Sequence, residues 1–294
     1  MTGAALITAA CGGADPTPTP LPAPAPTPEP AATAAPARPS PTPRAAVPSP
    51  TPTSTTESVI QYVTAYAYLD RGDYAEAERY FTTVIELEPK FARGWDGRGQ
   101  ARLFKGEYDE ALLDFDQAIS LKPGLATAYA HRAFARMATR DSSGALRDAE
   151  KALSLNNDLV DPQIVLGRVL AEQGKLDESL SHFDRAVALT PQDGGAYWWR
   201  GRFYRDVLKD YARALEDFNR AAQYDPARAQ IFLDRAVLLI SGGAPVELIR
   251  DDLEEAISLS KDPLLPEVLD QAERLLALVA EAERTGAPII IPRR

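Results

Sequence analysis

The chain has 294 residues, of which 42 are acidic and 32 basic, and its formal charge is -10. This length allows one or two domains with a sizeable core, and no run of residues approaches the roughly 18 continuous apolar positions of a membrane span. The acidic balance argues against a nucleic-acid surface, because such a surface needs clustered Lys and Arg to displace counterions.

The N-terminal segment holds the only cysteine, in the sequence Leu6-Ile7-Thr8-Ala9-Ala10-Cys11. A single cysteine forms no internal disulfide, so its thiol is present either for its chemistry or by chance. The segment resembles the lipobox of bacterial lipoproteins, which implies that residues 1–11 are a truncated signal segment and that Cys11 carries a lipid. No Lys or Arg precedes the apolar residues, so the resemblance predicts a start upstream of Met1. The alternative is a frayed N-terminus with an idle thiol.

Residues 12–57 are predicted to be disordered. Of the 25 prolines, 15 fall between Pro16 and Pro52, where they alternate with Thr, Ala and Ser. Such a segment buries too little apolar surface to offset its ordering entropy. Its prolines favour extended polyproline geometry, which makes it a stiff spacer. Lipid and spacer together predict a protein anchored at a membrane surface, with no transmembrane helix.

The rest of the chain repeats with a period of about 34 residues. Three segments align on a central small residue: GDYAEAERYFTTVIELEP from Gly72, GEYDEALLDFDQAISLKP from Gly106 and GKLDESLSHFDRAVALTP from Gly174. This pattern resembles the tetratricopeptide repeat (TPR). The resemblance implies an all-α fold, a right-handed α-solenoid of about six helix pairs. The six predicted units are residues 58–91, 92–125, 126–159, 160–193, 194–228 and 229–263.

Each unit carries apolar residues at helical spacing on two stretches that are separated by a turn. The turn glycines suit a left-handed residue after the first helix, and Asp73 with Glu76 has the spacing of a capping box. Small residues allow the helices to approach, and phenylalanines four positions later fill the space beside them: Ala77, Ala111, Ala145 and Ala214, and Phe81, Phe115, Phe183 and Phe218.

The later units depart from this pattern in three places. Unit three has Arg140 where the turn glycine belongs, and units five and six each carry one extra residue near the turn.

Residues 264–285 are predicted to form an amphipathic capping helix, because the last apolar face of a solenoid would otherwise meet water. Its inward residues are predicted to be Leu269, Leu275, Leu276 and Val279. The tail, residues 286–294, contains Ile289 to Ile291, which are expected to pack against the cap.

The resemblance also implies a peptide-binding groove lined by the first helix of each unit. Its positions carry over to a set of aromatic and polar residues: Tyr62, Tyr66, Gln100, Phe134, Arg168, Trp198 and Arg202. Aromatic anchors beside arginine are typical of interface hot spots. The alternative is that the aromatics pack between units and the arginines are only solvated.

Comparison of the units predicts structural ion pairs. Four units place Arg on the first helix and Asp on the second, at a separation of 16 or 17 residues: Arg98 and Asp114, Arg132 and Asp148, Arg200 and Asp217, Arg235 and Asp252. Each Asp lies three residues from the small positions of its helix, so it should face inward and need a partner.

The chain shows no pattern typical of catalysis. It has two histidines in different units, no Cys or His cluster with metal-ligand spacing and no phosphate-binding loop. The sequence therefore predicts a non-enzymatic scaffold without cofactor or metal that binds other proteins or peptides, lipid-anchored at the outer face of a bacterial membrane in the cell envelope. A soluble cytoplasmic adaptor and a subunit of an enzyme complex are the alternatives.

Overall fold

The structure is a computed structural model that describes residues 53–260 and 266–290. Its regular elements in these ranges are 13 α-helices and one π-helical turn. The predicted all-α solenoid of helix pairs with a final single helix is confirmed. Cys11, the proline-rich residues up to 52 and residues 291–294 lie outside the described residues. Within the described ranges, no helix combines the length and apolar character needed to cross a membrane.

The helices, labelled α1 to α13 in chain order, form six consecutive pairs. The first helices of the pairs are α1 (Thr53–Arg71), α3 (Ala92–Lys105), α5 (Ala126–Ala138), α7 (Val160–Glu172), α9 (Gly194–Phe203) and α11 (Ala229–Ser241). The second helices are α2 (Tyr74–Leu87), α4 (Tyr108–Leu121), α6 (Ser142–Leu155), α8 (Leu176–Leu189), α10 (Tyr211–Tyr224) and α12 (Val246–Leu259). The final helix is α13 (Pro266–Thr285).

Helix α1 begins earlier than the sequence predicted. It extends five residues into the range 12–57, which was expected to be disordered, so the boundary at Ser58 lies inside the helix. Ser58 is buried, and its hydroxyl donates a hydrogen bond to the carboxylate of Glu88. This contact ties the first turns of α1 to the end of the first pair.

The order of contacts places the first helices of units one to five on one face of the solenoid. Each first helix packs against its own second helix, and each second helix packs against the next first helix. In addition, α1 contacts α3, α3 contacts α5, α5 contacts α7, and α7 contacts α9. Side chains that point away from the second helices on these five helices therefore share a common surface.

The turn between paired helices needs a left-handed residue. Gly106 adopts φ 82° directly after α3, where a Cβ would be strained. Unit three uses Arg140 at φ 64° for the same turn. In unit five the extra residue is accommodated by a π-helical turn, Tyr204–Leu208. The residue after this turn, Lys209, adopts φ 58°. The turn is thus kept even where its glycine is missing.

Buried phenylalanines fill the spaces that small residues leave between helices. Phe115 is fully buried on α4, and a Cβ added to Gly99 on α3 would lie 2.6 Å from its ring. Gly201 and Phe218 form the equivalent contact in unit five. The two helices can approach this closely only because glycine leaves room for the ring.

The predicted capping box at the start of α2 is wrong. Asp73 is the N-cap residue, but its side chain accepts no capping hydrogen bond. Glu76 instead pairs with Arg79 at 2.7 Å, and both side chains are exposed. The Glu76 carboxylate can either pair with Arg79 one turn along the helix or bind the backbone N–H of Asp73. The spacing of Asp73 and Glu76 therefore did not by itself determine which contact forms.

Helix α13 covers the apolar end of the solenoid. Val268, Leu275 and Val279 are buried in one cluster with residues of α11 and α12. Leu276 packs against this cluster, whereas Val268 takes the inward position that was predicted for Leu269. In the tail, Ile289 packs against the same cluster and Ile290 is exposed.

Candidate functional site

A cavity of about 550 Å³ lies on the face that the first helices share. We call it the groove cavity. Its walls are formed by residues of α3, α5, α7 and α9. Arg228, which precedes α11, lies at one end, and Phe104 and Tyr108 lie at the other. Phe104 is 53% exposed. The cavity therefore runs across four units and opens to solvent at an apolar end.

One side of the groove cavity is basic and aromatic. The Arg168 guanidinium lies 4.3 Å from the ring centre of Trp199, and that of Arg202 lies 5.1 Å from Trp198 and 5.3 Å from Trp199. Trp198 is buried and donates from Nε1 to Asp234 at 2.7 Å. This buried hydrogen bond fixes the indole that supports Arg202.

The two arginines of this side have little charge compensation. Among the described residues, Arg168 has no hydrogen-bond or ion-pair partner. Burial and the charge of Arg202 lower the pKa of Arg168, against an opposing effect of Glu172. The Nε atom of Arg202 is buried without a hydrogen-bond partner and lies 3.8 Å from the carboxylate of Asp206. The guanidinium of Arg168 is thus available to an anionic group, and that of Arg202 is compensated only by its long contact to Asp206.

The other side of the groove cavity is acidic. Asp96 is buried and accepts hydrogen bonds from Thr127 at 2.7 Å and from Nδ1 of His131 at 2.8 Å. Burial lowers the pKa of His131, but the charge and hydrogen bond of Asp96, with the charge of Asp161, outweigh it and the net shift is upward. Burial raises the pKa of Asp161; His131 opposes this shift and Asp193 adds to it.

Gln100, on the cavity wall formed by α3, carries a free acceptor among the described residues. Its Oε1 atom is buried and has no donor among the described residues. An unsatisfied buried acceptor is unusual and favours a donor supplied from outside the chain. Phe134 and Ile164 line the cavity nearby and keep its floor apolar.

The structure brings together five of the seven predicted groove residues. Gln100, Phe134, Arg168 and Trp198 line the cavity, and Arg202 stacks on its tryptophans. Tyr62 and Tyr66 do not reach it.

Tyr62 and Tyr66 instead pack in an aromatic cluster with Phe81, with ring centres 6.0 Å and 5.2 Å from it. Burial and the charge of Tyr62 raise the pKa of the Tyr66 phenol. In unit one the aromatics therefore pack between helices, as the alternative interpretation had it.

Sequence reasoning missed Asp161, His131 and Trp199 as residues of the cavity. Asp161 lies three residues before Ile164, so helical spacing could have placed it near the groove. Trp199 directly follows Trp198, and adjacent residues do not share a helix face, so spacing alone did not indicate it. His131 and Asp96 come from neighbouring units, 35 residues apart. Their contact is visible only when residues are compared between units and not within one.

The four arginine–aspartate pairs lie between the helices of their units. Each guanidinium donates from Nε and Nη2 to the two carboxylate oxygens at 2.5–2.9 Å, and the carboxylates are buried: Arg98 with Asp114, Arg132 with Asp148, Arg200 with Asp217, and Arg235 with Asp252. Such bidentate pairs are among the strongest side-chain contacts.

The same arginines also bridge neighbouring units, which the sequence comparison had not suggested. Arg132 donates from Nη1 to Asp116 on α4, Arg200 to Asp184 on α8, and Arg235 to Asn219 on α10. Each of these arginines therefore connects its own second helix to that of the preceding unit. In units two and three a further arginine, Arg102 or Arg136, binds the same buried carboxylate.

Within residues 53–260 and 266–290, no three His, Cys, Asp or Glu side chains lie close enough together to hold a metal ion. The groove cavity has instead the features of a recognition surface: an enclosed apolar floor, fixed aromatic rings and charged groups without internal partners.

A chain of stacked helix pairs with such a surface defines a helical repeat protein. The profile of the tetratricopeptide repeat family matches residues 62–126, 132–194 and 164–229, so the chain belongs to this family. A TPR fold indicates a scaffold for protein–protein interaction. No curated protein sequence matches the chain.

Solved structures share the fold at low sequence identity. A chain of the APC/C hetero-tetramer Cut9–Hcn1 is 20% identical with a TM-score of 0.60, and the match covers 74% of this chain and 43% of that one. A TPR protein from Parabacteroides merdae is 19% identical with a TM-score of 0.59, over 76% and 87%. A thermophilic TPR protein from Thermus thermophilus is 17% identical with a TM-score of 0.57, over 62% and 99%.

Proposed function

We propose that this chain is a non-enzymatic scaffold that binds an extended segment of a partner protein in the groove cavity. The observation that carries the proposal is a set of binding groups that the described residues leave incompletely paired. They are the guanidinium of Arg168 beside Trp199, the buried Nε of Arg202, and the buried acceptor of Gln100. Leaving such groups unpaired costs stability, and a bound partner that pairs with them recovers that cost.

Site-specific crosslinking tests this function. A photoreactive phenylalanine analogue at Phe134, inside the cavity, should crosslink a partner in extracts of the native cells. The matched control places the same analogue at Leu113, which is 69% exposed on α4. Crosslinks of equal yield at both positions, or none at Phe134, would place the binding surface elsewhere.

Charge reversal gives an independent measurement. Arg168→Glu with Arg202→Glu should weaken binding of the crosslinked partner and reduce its dependence on salt, because Arg168 lines the cavity and Arg202 stacks on its two tryptophans. Helicity should stay unchanged. Unaltered affinity of the double variant would show that these arginines do not contact the partner.

We further propose that the scaffold is lipid-anchored through Cys11 in the cell envelope, with the proline-rich residues 12–52 as a tether. The support is the lipobox-like sequence before Cys11 and the stiff composition after it. In the native host, the protein should incorporate a fatty-acid analogue and partition with membranes, and Cys11→Ser should abolish both. Label-free protein in the soluble fraction would favour the cytoplasmic adaptor.

A further inference from the structure

Helix α7 presents two opposite charges to the same cavity. Asp161, Ile164 and Arg168 follow at spacings of three and four residues, so they share one face of the helix, and all three line the groove cavity. Seven residues of α-helix correspond to a rise of about 10 Å. The described residues show no ion pair between the Asp161 carboxylate and the Arg168 guanidinium, and Ile164 lies between the two positions on this face.

Asp161 and Arg168 each have a neighbour of the same charge. Asp161 has no hydrogen-bond or ion-pair partner among the described residues; its charged neighbours are His131 and a second carboxylate, Asp193. Arg168 lies beside the cation of Arg202, with Glu172 as the only opposing charge that acts on it in the described part of the chain. Both groups would gain from an opposite charge brought by a ligand.

The remaining cationic group at the cavity wall does not neutralise the acidic side. Arg228 lines the cavity, but its guanidinium binds Asp225 at 2.6 Å. His131 is already held by Asp96 through a hydrogen bond of 2.8 Å. The acidic side consequently keeps a net negative charge, and the side around Arg168 and Arg202 keeps a net positive one.

We propose that the groove cavity selects an extended peptide segment that carries a cationic and an anionic side chain within about three residues of each other, the cation bound by Asp161 and the anion by Arg168 with Arg202. This inference rests on the peptide binding proposed above. An extended chain advances about 3.3 Å per residue, so three residues span the roughly 10 Å by which Asp161 and Arg168 are separated along α7.

The surfaces between the two charged sites set the rest of the ligand. Ile164, Phe134 and Trp199 require apolar or aromatic side chains next to the charged pair. The Oε1 atom of Gln100 accepts one backbone N–H of the peptide, since it has no donor otherwise among the described residues. A purely anionic ligand, such as a phosphate group or an acidic tail, leaves Asp161 and Asp193 uncompensated and is disfavoured.

Selection from a displayed library of random dodecapeptides on the full chain tests this inference. Peptides with Lys or Arg within three positions of Asp or Glu should be enriched on the wild type and not on the double variant Asp161→Asn, Arg168→Met. Enriched peptides without such a pair would overturn the charge selectivity and leave peptide binding in place. If no peptide is enriched, both this inference and groove binding of short peptides fall.

A cycle between protein and peptide charges provides the second measurement. Asp161→Asn should lower the affinity for a selected peptide about tenfold, but should not change the affinity for the same peptide with its Lys replaced by Gln. Likewise, Arg168→Met should lower the affinity for the selected peptide, but not for the same peptide with its Glu replaced by Gln. The matched controls are Asp177→Asn and Arg185→Met on α8, whose residues lie outside the cavity lining. Equal losses for peptides with and without the charge would overturn the assignment.

Thermal unfolding separates recognition from a structural role. Asp161 lacks a partner among the described residues, but it lies in the first turn of α7, where the helix dipole favours a negative charge. Asp161→Asn should therefore lower the melting temperature only slightly while it weakens the peptide. A large fall in melting temperature that accompanies the loss of binding would show that Asp161 supports the fold, and would overturn its role as the cation site.

Discussion

The buried pair of Arg132 and Asp148 offers the sharpest test of how the repeat units are held together. Asp148 is 4% exposed and accepts hydrogen bonds from Nε and Nη2 of Arg132 at 2.8 and 2.7 Å. It also binds Nη1 of Arg136 at 2.8 Å. Replacing Asp148 by Leu removes the acceptor of all three contacts and leaves two cations between the helices.

The magnitude follows from what each arginine retains. A hydrogen bond to a charged group contributes about 1.5–3 kcal/mol to stability. The sum of three such bonds is an upper limit for the loss in free energy of unfolding, because both arginines keep other contacts. Arg132 keeps its contact to Asp116, and Arg136 keeps a bond of 3.3 Å to the carbonyl of Gly144. We therefore expect Asp148→Leu to lower the free energy of unfolding by about 3–5 kcal/mol, as for other broken buried pairs.

The double variant Asp148→Leu, Arg132→Leu should recover much of this loss, because a buried pair contributes little net stability compared with apolar side chains of similar size. Recovery should be incomplete, since Arg136 still lacks the Asp148 carboxylate. The matched control is Glu76→Leu, which breaks the exposed pair with Arg79 and should cost less than about 1 kcal/mol.

Urea unfolding followed by far-UV circular dichroism gives the total loss, and amide hydrogen exchange locates it. Since each repeat contacts only its neighbours, protection should fall most in α5 and α6 and in the helices next to them. A loss below about 1 kcal/mol for Asp148→Leu, or a loss of protection spread evenly over all helices, would refute the reasoning.

Three further predictions concern single positions. Gly97→Ala should cost roughly 1–3 kcal/mol in urea unfolding, because its Cβ would lie 2.3 Å from the ring of Phe81; an unchanged midpoint would contradict this close approach. Arg140→Gly should raise stability by about 1 kcal/mol by relieving the left-handed backbone at φ 64°, and a lower melting temperature would argue against that strain. The pKa of His131 is raised in the folded state by Asp96, so His131→Gln should cost most near pH 5 and the difference should vanish as pH rises through the folded pKa; a pH-independent difference would oppose this pairing.

The periodic part of the fold could be predicted from sequence because each unit repeats the same pattern. The turn at Gly106 could be predicted because a glycine recurs at a fixed distance from an apolar stretch. In the structure Gly106 lies in the left-handed region of backbone conformation. The capping box at Asp73 failed because it rests on a single spacing, which a competing pair between Glu76 and Arg79 overrode. The left-handed backbone of Arg140 could be inferred only from the frame that the other units provide.

The site was harder to predict because it depends on the ways in which units differ. Arg168 and Trp198 could be placed from family positions, one unit at a time. Asp161 and His131 interact with residues of adjacent units, so their proximity follows from stacking and not from periodicity. Tyr62 occupies a groove position but packs against Phe81, since the end of the array offers different neighbours.

The arginine bridges occur at some junctions between units and not at others. Bridges from Arg132, Arg200 and Arg235 are directional and resist sliding of one unit over the next. Unit four has Leu166 at the corresponding position, and this side chain packs in an apolar cluster with residues of units three and four.

The junction between units three and four therefore has no arginine bridge of this kind among the described residues, and polar contacts at its edges join Ser142 to Glu172 at 2.7 Å and Arg185 to Asp158 at 3.6 Å. The groove cavity straddles this junction, with α3 and α5 on one side of it and α7 and α9 on the other. A small change of curvature at this junction would alter the width of the cavity without breaking any of the three arginine bridges.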